Sequence, residues 1–386
     1  MYRRIYEFLN EQSKNNQLRK LNEIAARENG IITVRGERYV DMSSNDYLGF
    51  SGHPHIKKRA IEYIRKYGSS GSASRLLSGN FEYHEALERR IAQWQHKESA
   101  LLFGNGYIAN ATIIPAISTS NTIIFADKYI HASIIDGIRL SGSRFVRYRH
   151  NDMAHLNALL QKERSKYADA LIIAESVYSM DGDIAPVADL IALKKEYNAA
   201  LYIDEAHAVG VFGAGGSGII DNREIAADVD VILGTFGKAL GNYGAFAALN
   251  KKLRQYLINR GRGFIFSTSL PPSIIGGVEG ALDLLETEPQ RREELIAKTA
   301  FFRDELEKAG VKYEVMGNSQ IVPLIIGAAD KTVALSNNLL RRGFYALPIR
   351  PPTVPANSSR IRFSMTYNVT RQQILKLIKV LNDYAV

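Results

Sequence analysis

From about residue 98 the chain alternates short, nearly continuous apolar runs with amphipathic stretches, and few folds accommodate that order. The apolar runs are Ala100–Phe103, Thr122–Phe125, Arg144–Tyr148, Ala170–Ala174, Leu201–Ile203, Val231–Leu233 and Phe264–Phe266. Strands that are apolar throughout need cover on both faces. Helices running between them supply it, so the pattern specifies an α/β domain with a mostly parallel sheet. Ligands of such sheets bind beyond the carboxyl ends of the strands. Two charged residues fall there. Asp204 follows Leu201-Tyr202-Ile203, and Lys238 follows Val231-Ile232-Leu233 within Gly234-Thr235-Phe236-Gly237-Lys238.

The flanks read differently. The first 35 or so residues are expected to be helical, with Leu9, Leu18, Leu21 and Ile24 as a loose apolar stripe. Residues 40–50 are turn-rich. Beyond about residue 285 the chain is more charged. A helix over Arg292–Lys308, a strand over Ile321–Ile326, a helix over Thr332–Arg342, a strand over Arg360–Met365 and a helix over Thr370–Tyr384 suggest a smaller α+β domain. The expected division is an N-terminal helical segment over 1–40, a large domain over 41–284 and a small C-terminal domain over 285–386.

Composition removes several function classes. The chain has 386 residues and no cysteine, which excludes disulfides, thiolate metal sites and a cysteine nucleophile. No apolar run approaches ~18 residues, and the N-terminus lacks an apolar signal core, as expected of a cytoplasmic protein. The net charge of +9 is clustered at 57–59, 251–254, 260–262 and 341–342. Charge alone would allow nucleic-acid binding, but no aromatic-basic motif accompanies it. An anionic substrate, cofactor or acidic carrier protein accounts for the same excess.

A lysine and an aspartate at the mouth of one sheet suit a particular chemistry. The lysine can hold an aldehyde cofactor as a Schiff base, and the aspartate can keep that cofactor's ring nitrogen protonated. Asp204-Glu205-Ala206-His207 also spells a helicase box, but the phosphate loop that reading needs is missing: Ile232 stands where its first glycine belongs and Ala239 follows Lys238. Asp204 could instead simply cap a turn. Phe103-Gly104-Asn105-Gly106-Tyr107 joins a strand to a helix, where amides can converge on a phosphate, with Thr235 adding a hydroxyl. His131, just after a strand, is either a cap or a ring stacked on a planar cofactor, and Ser179 lies in a polar turn. No metal-binding spacing stands out.

Taken together, these residues resemble the α-oxoamine synthases, a family of fold-type-I enzymes dependent on pyridoxal 5'-phosphate (PLP). The motifs are SSNDYLG (43–49), GSASRLLSGN (71–80), HASIIDG (131–137), SVYSMDGD (176–183), IDEAHAVG (203–210) and TFGKALG (235–241). The resemblance implies that Lys238 is the Schiff-base lysine, Asp204 the partner of the ring nitrogen and His131 the residue stacked on the ring. It implies that Ser179 and His207 bond near the ring's phenolic oxygen, and that Gly106, Tyr107 and Thr235 cradle the phosphate and ring. Thr268 would reach the phosphate of a partner subunit, so a homodimer with shared sites is implied. Arg362 would grip the amino acid's carboxylate, with Arg19, Thr353 and Asn45 as further substrate contacts. Ile349-Arg350-Pro351-Pro352-Thr353-Val354-Pro355 resembles members that condense L-alanine with a pimeloyl thioester, on coenzyme A or a carrier protein, in biotin biosynthesis. Members joining glycine to acetyl-CoA are the alternative. Ser176, Ala73 and the Asn242-Tyr243-Gly244-Ala245 stretch depart from the family's usual residues, without removing a charged or nucleophilic group.

Overall fold

A computed structural model describes residues 1–15 and 17–384. They form two compact units. The larger comprises His53–Tyr178 and Ile184–Arg292; the smaller comprises Met1–Gly52, Ser179–Asp183 and the residues from Glu293 on. Residues Met1–Gly52 thus share the smaller unit with the C-terminal region. The strand Glu37–Asp41 joins them to it by pairing in parallel with Phe344–Tyr345.

The larger unit holds the α/β sheet. Its strands are β1 (Ser99–Phe103), β2 (Thr122–Asp127), β3 (Arg144–Tyr148), β4 (Asp169–Glu175), β5 (Ala200–Asp204), β6 (Val231–Thr235) and β7 (Ala245–Leu249), in the spatial order β1-β7-β6-β5-β4-β2-β3. Pairings among β2 to β6 are parallel, while β7 runs antiparallel between β1 and β6. Helices such as Gly106–Ile117 and Ala132–Ser141 help cover it, with Ile113, Ile124, Ile134, Ile173 and Leu233 fully buried in one apolar cluster. Each such side chain contributes about 1.5–3 kcal/mol.

Two expectations change here. Phe264–Phe266 is not a strand, since Arg262–Ile265 forms a short helix. A three-residue apolar run carries no period, so it cannot distinguish the two. The sheet instead contains Ala245-Phe246-Ala247-Ala248-Leu249, all five buried. Alanine is a poor strand former, which hides this segment from propensity.

In the smaller unit the expected N-terminal helix is confined to Tyr2–Lys14. The strands Ala26–Glu28, Ile31–Val34 and Glu37–Asp41 follow as a meander. Its two-residue turns are Asn29-Gly30 (φ 48° and 77°) and Arg35-Gly36 (φ 51° and 84°). Positive φ at both turn positions matches the right-handed twist of a hairpin, and Asn-Gly is its strongest short signal. A second sheet runs Glu314–Val315, Ile321–Gly327, Ser359–Ser364, Pro348–Ile349, every pairing antiparallel. The helices Ala329–Arg341 and Arg371–Asp383 lie within a few residues of their expected positions. Among the described residues no helix is long and apolar enough to cross a membrane.

Candidate active site

The carboxyl ends of β4, β5 and β6 gather the charged groups of the larger unit. Asp204 closes β5 and is buried. Its Oδ1 accepts the backbone N–H of Ala206 at 3.0 Å, the turn bond of a capping aspartate. Its Oδ2 accepts from Nδ2 of Asn110 at 3.0 Å. One carboxyl group thus fixes the local turn and is itself held at the mouth of the sheet.

Glu175 is the register partner of Asp204 on β4. Burial pushes its carboxyl well above the ordinary range, Asp204 adds to the effect and the positive charge of Lys238 opposes it. Oε1 of Glu175 has no hydrogen-bond partner. Two carboxyls side by side in a dry setting cannot both ionise cheaply, and the one with fewer donors keeps its proton.

Lys238 lies half-buried beyond β6, in the turn closed by the Gly241 N–H to Lys238 carbonyl bond of 2.9 Å. His131 caps the helix Ala132–Ser141, its Nδ1 accepting the Ser133 N–H at 3.2 Å. Its ring keeps solvent access, yet the surrounding protein holds its pKa below the ordinary value. Desolvation is the main cause, Asp204 opposes it and Lys238 reinforces it. At neutral pH the imidazole is uncharged. Capping and an exposed ring face coexist at this residue.

An anion cradle lies beside these groups. Gly106 opens the helix Gly106–Ile117, and Asn105 caps it through a 2.9 Å bond from the Ile108 N–H. A Cβ on Gly106 would stand 2.8 Å from Cγ2 of Thr235, so only glycine lets the helix start come this close to the end of β6. The end of β6 meets the helix start through the Thr235 methyl, while the Thr235 hydroxyl contacts the Ala206 carbonyl at 3.5 Å, and the first-turn amides are left as donors for a phosphate. Tyr107 is exposed, and its hydroxyl donates to the Asp136 carboxylate. His207 is buried in the turn after β5. Thr268 is exposed and bridges to Ser74, beside the 71–80 loop. A lysine, a buried acid with one oxygen tied to a neutral amide, an uncharged ring and a glycine-lined cradle fit PLP.

The smaller unit carries its own cluster. Arg362 lies on the strand Ser359–Ser364 and is buried. Nε donates to the Ser179 carbonyl, and Nη1 donates to Asn45 Oδ1 at 3.2 Å and to Ser364 Oγ at 2.6 Å. Nη2 makes only a 3.4 Å contact with the Tyr47 hydroxyl. The guanidinium is thus oriented by its neighbours with one nitrogen lightly engaged. Ser179 meets Arg362 through its carbonyl. Arg19, exposed, donates from Nη2 to Thr353 Oγ1 at 2.7 Å, linking residues 334 positions apart. Arg350 is held below its ordinary pKa, by burial first and by the like charge of Arg19 second.

The structure therefore joins Gly106 with Thr235, and His131 with Asp204 and Lys238, in one unit; in the other it joins Arg362 with Asn45 and Ser179, and Arg19 with Thr353. Sequence reading missed Asn110, Ser133, Tyr202 and Glu175. The only signal for Asn110 was an amide inside the apolar stretch Ile108-Ala109-Asn110-Ala111-Thr112-Ile113-Ile114.

Residues 37–381 match the family model for class I and II aminotransferases. The chain belongs to that family. Its sequence is 44% identical over 350 residues to the 8-amino-7-oxononanoate synthase of Geobacter sulfurreducens, covering 90% of this chain and 89% of that one. A structure of SPT with its PLP internal aldimine superposes with a TM-score of 0.92 at 27% identity, covering 99% and 98% of the two chains. The 8-amino-7-oxononanoate synthase of Francisella tularensis superposes at 0.77 with 28% identity, covering 89% and 97%. This member of the aminotransferase family is a PLP-dependent acyltransferase of fold type I. The expected family, fold and cofactor hold.

Proposed function

We propose that the enzyme condenses L-alanine with a pimeloyl thioester, giving 8-amino-7-oxononanoate, carbon dioxide and the free carrier thiol. The reading is supported by 8-amino-7-oxononanoate synthases among its relatives. The single observation that carries the acyl assignment is the Arg19–Thr353 bond with Arg350 electrostatically coupled to Arg19. A guanidinium whose charge is disfavoured by burial and by a like charge favours an anion beside it, and a pimeloyl chain ends in a carboxylate where an acetyl group has none.

Bound PLP supplies an electron sink for a carbanion at the amino acid's Cα. The chain's residues do the rest. With PLP bound, Lys238 would be the residue that holds it at rest, and its amine, when free, would accept the proton from alanine's Cα. Asp204 would keep the ring nitrogen protonated, His131 would lie against the ring, and Ser179 and His207 would bond near the phenolic oxygen. Gly106, Tyr107 and Thr235 hold the phosphate, and Thr268 contributes to the partner's phosphate site in a homodimer. Arg362, set by Asn45, takes alanine's carboxylate, and Arg19 and Thr353 take the far end of the acyl chain. The basic segments around 251–262 suit an acidic carrier protein as acyl donor. The balance closes: three carbons of alanine and seven of the acyl group leave nine in the product after one departs as carbon dioxide.

Borohydride reduction of the cofactor-loaded protein tests the anchor. It should fix the cofactor on the peptide containing Lys238, and an unmodified Lys238 sinks the reading. Turnover of alanine with pimeloyl thioester should exceed that of glycine with acetyl-CoA. The reverse ranking would move the enzyme to the glycine-using branch.

A further inference from the structure

Asp204 and His131 are joined by a hydrogen-bonded chain through Asn110 and Ser133 whose direction is fixed. An amide nitrogen can only donate. Asp204 Oδ2 therefore takes Nδ2 of Asn110, at 3.0 Å. That choice orients the amide: Oδ1 accepts from the Tyr202 hydroxyl at 2.6 Å, and the second Nδ2 proton goes to Ser133 Oγ at 3.0 Å. Ser133 Oγ then gives its own proton to Nδ1 of His131 at 2.7 Å, where the Ser133 N–H also arrives at 3.2 Å. Nδ1 receives two donors, which leaves the ring proton on Nε2.

Two helices are packed to make this possible. Asn110 lies four residues after Gly106, so one face of the helix Gly106–Ile117 carries both the cradle and the tie. Ser133 and Gly137 share a face of the helix Ala132–Ser141 in the same way. A Cβ on Gly137 would stand 2.6 Å from the Asn110 carbonyl oxygen, so this glycine sets the separation at which Ser133 reaches the amide. Asn110 and Ser133 are each 1% exposed and Tyr202 is fully buried, so water does not substitute for a lost partner.

We propose that Asn110 is a positioning residue for the reaction: it holds Asp204 and His131 as one unit and sets the His131 imidazole in its Nε2–H form. The proposal rests on the PLP reading above. It deepens that reading, because a change at the carboxylate is transmitted through the Asn110 amide and the Ser133 hydroxyl to His131.

Nitrogen-15 NMR of histidine-labelled protein, cofactor-loaded and cofactor-free, tests it, with the His131 signals identified by their loss in His131→Gln. The wild type should show a bare Nδ1 and a protonated Nε2. A proton on Nδ1 overturns the proposal and needs no variant to be seen. Asn110→Leu should still be labelled at Lys238 by borohydride. Its kcat should fall about ten- to a hundredfold with the KM for alanine little changed, matching one lost hydrogen bond to a charged group, and the cofactor's ring-nitrogen resonance should move toward the unprotonated position. A variant with wild-type resonance and wild-type kcat overturns the proposal. Should Asn110→Leu not fold, Gly137→Ala, which only spreads the two helices, is expected to shift the same two signals; unmoved signals again count against it. Loss of borohydride labelling in the wild type would overturn the PLP reading instead, and is distinguishable from either result.

Discussion

Gly106→Ala followed by relief with Thr235→Ser isolates the cradle from everything else in the site. The added Cβ would meet Thr235 Cγ2 at 2.8 Å, whereas ordinary contact begins at 3.4 Å. Neither side yields easily. Gly106 begins a helix held by the Asn105 cap, and Thr235 is paired with Ala245 of β7. Overpacking of this kind costs about 1–3 kcal/mol. If the bound cofactor requires the undistorted cradle, that energy appears in its affinity as a weakening of about five- to 150-fold. Thr235→Ser keeps the hydroxyl and removes the methyl the new Cβ would strike. The double variant should therefore recover most of the loss, giving a coupling of about 1–3 kcal/mol in a double-mutant cycle. Absorbance titration with PLP measures affinity, and urea unfolding of the cofactor-free protein measures stability. Wild-type affinity in Gly106→Ala, or a double variant no better than the single, would refute the reasoning.

Asp204→Asn should lower turnover about a hundredfold or more while costing only about 1–2 kcal/mol in stability, since an amide oxygen can still accept the Ala206 N–H; near wild-type turnover would remove Asp204 from the chemistry. Arg19→Gln should raise the KM for the pimeloyl thioester about tenfold or more with little change in the KM for alanine, and equal effects on both would place Arg19 elsewhere. His84 is held down from 6.5 to about 4, by desolvation first and the Arg75 charge second, and Nδ1 already accepts the Phe81 N–H while Nε2 meets the Leu270 carbonyl. Between those values the unfolded chain takes up a proton that the folded chain refuses, so stability should fall as pH drops from about 6.5 toward 4. Urea unfolding across that range should show a shallower slope for His84→Gln, and an unchanged slope would rule His84 out as its source.

How much was legible depended on the range of the interaction. Lys238, Asp204 and His131 could be picked out because each follows an apolar run within a few residues, and the sheet places strand ends together whatever the side chains do. The cradle was legible for the same reason, from Gly104-Asn105-Gly106 at a strand-to-helix turn. Asn110 was not, because its partners Tyr202, Asp204 and Ser133 are up to 94 positions away, and an amide in an apolar helix face looks locally like an error. β7 was invisible because its alanines gain their place from tight pairing on both edges. The Asn29-Gly30 turn is a local signal as well, and it outweighs the loose apolar stripe of the first 35 or so residues.

The sequence by itself determined the α/β class, the family and the residue types of the chemistry, since periodicity and short motifs are properties of neighbouring residues. Only the tertiary structure decided which residues share a unit, bringing 1–52 and 179–183 together with the C-terminal region. It also decided that Arg19 meets Thr353, and that one buried amide and the Ser133 hydroxyl link the carboxylate to the imidazole. Those pairings are chosen by packing across long chain separations, where burial and donor direction leave one arrangement satisfied, and no local pattern records that choice.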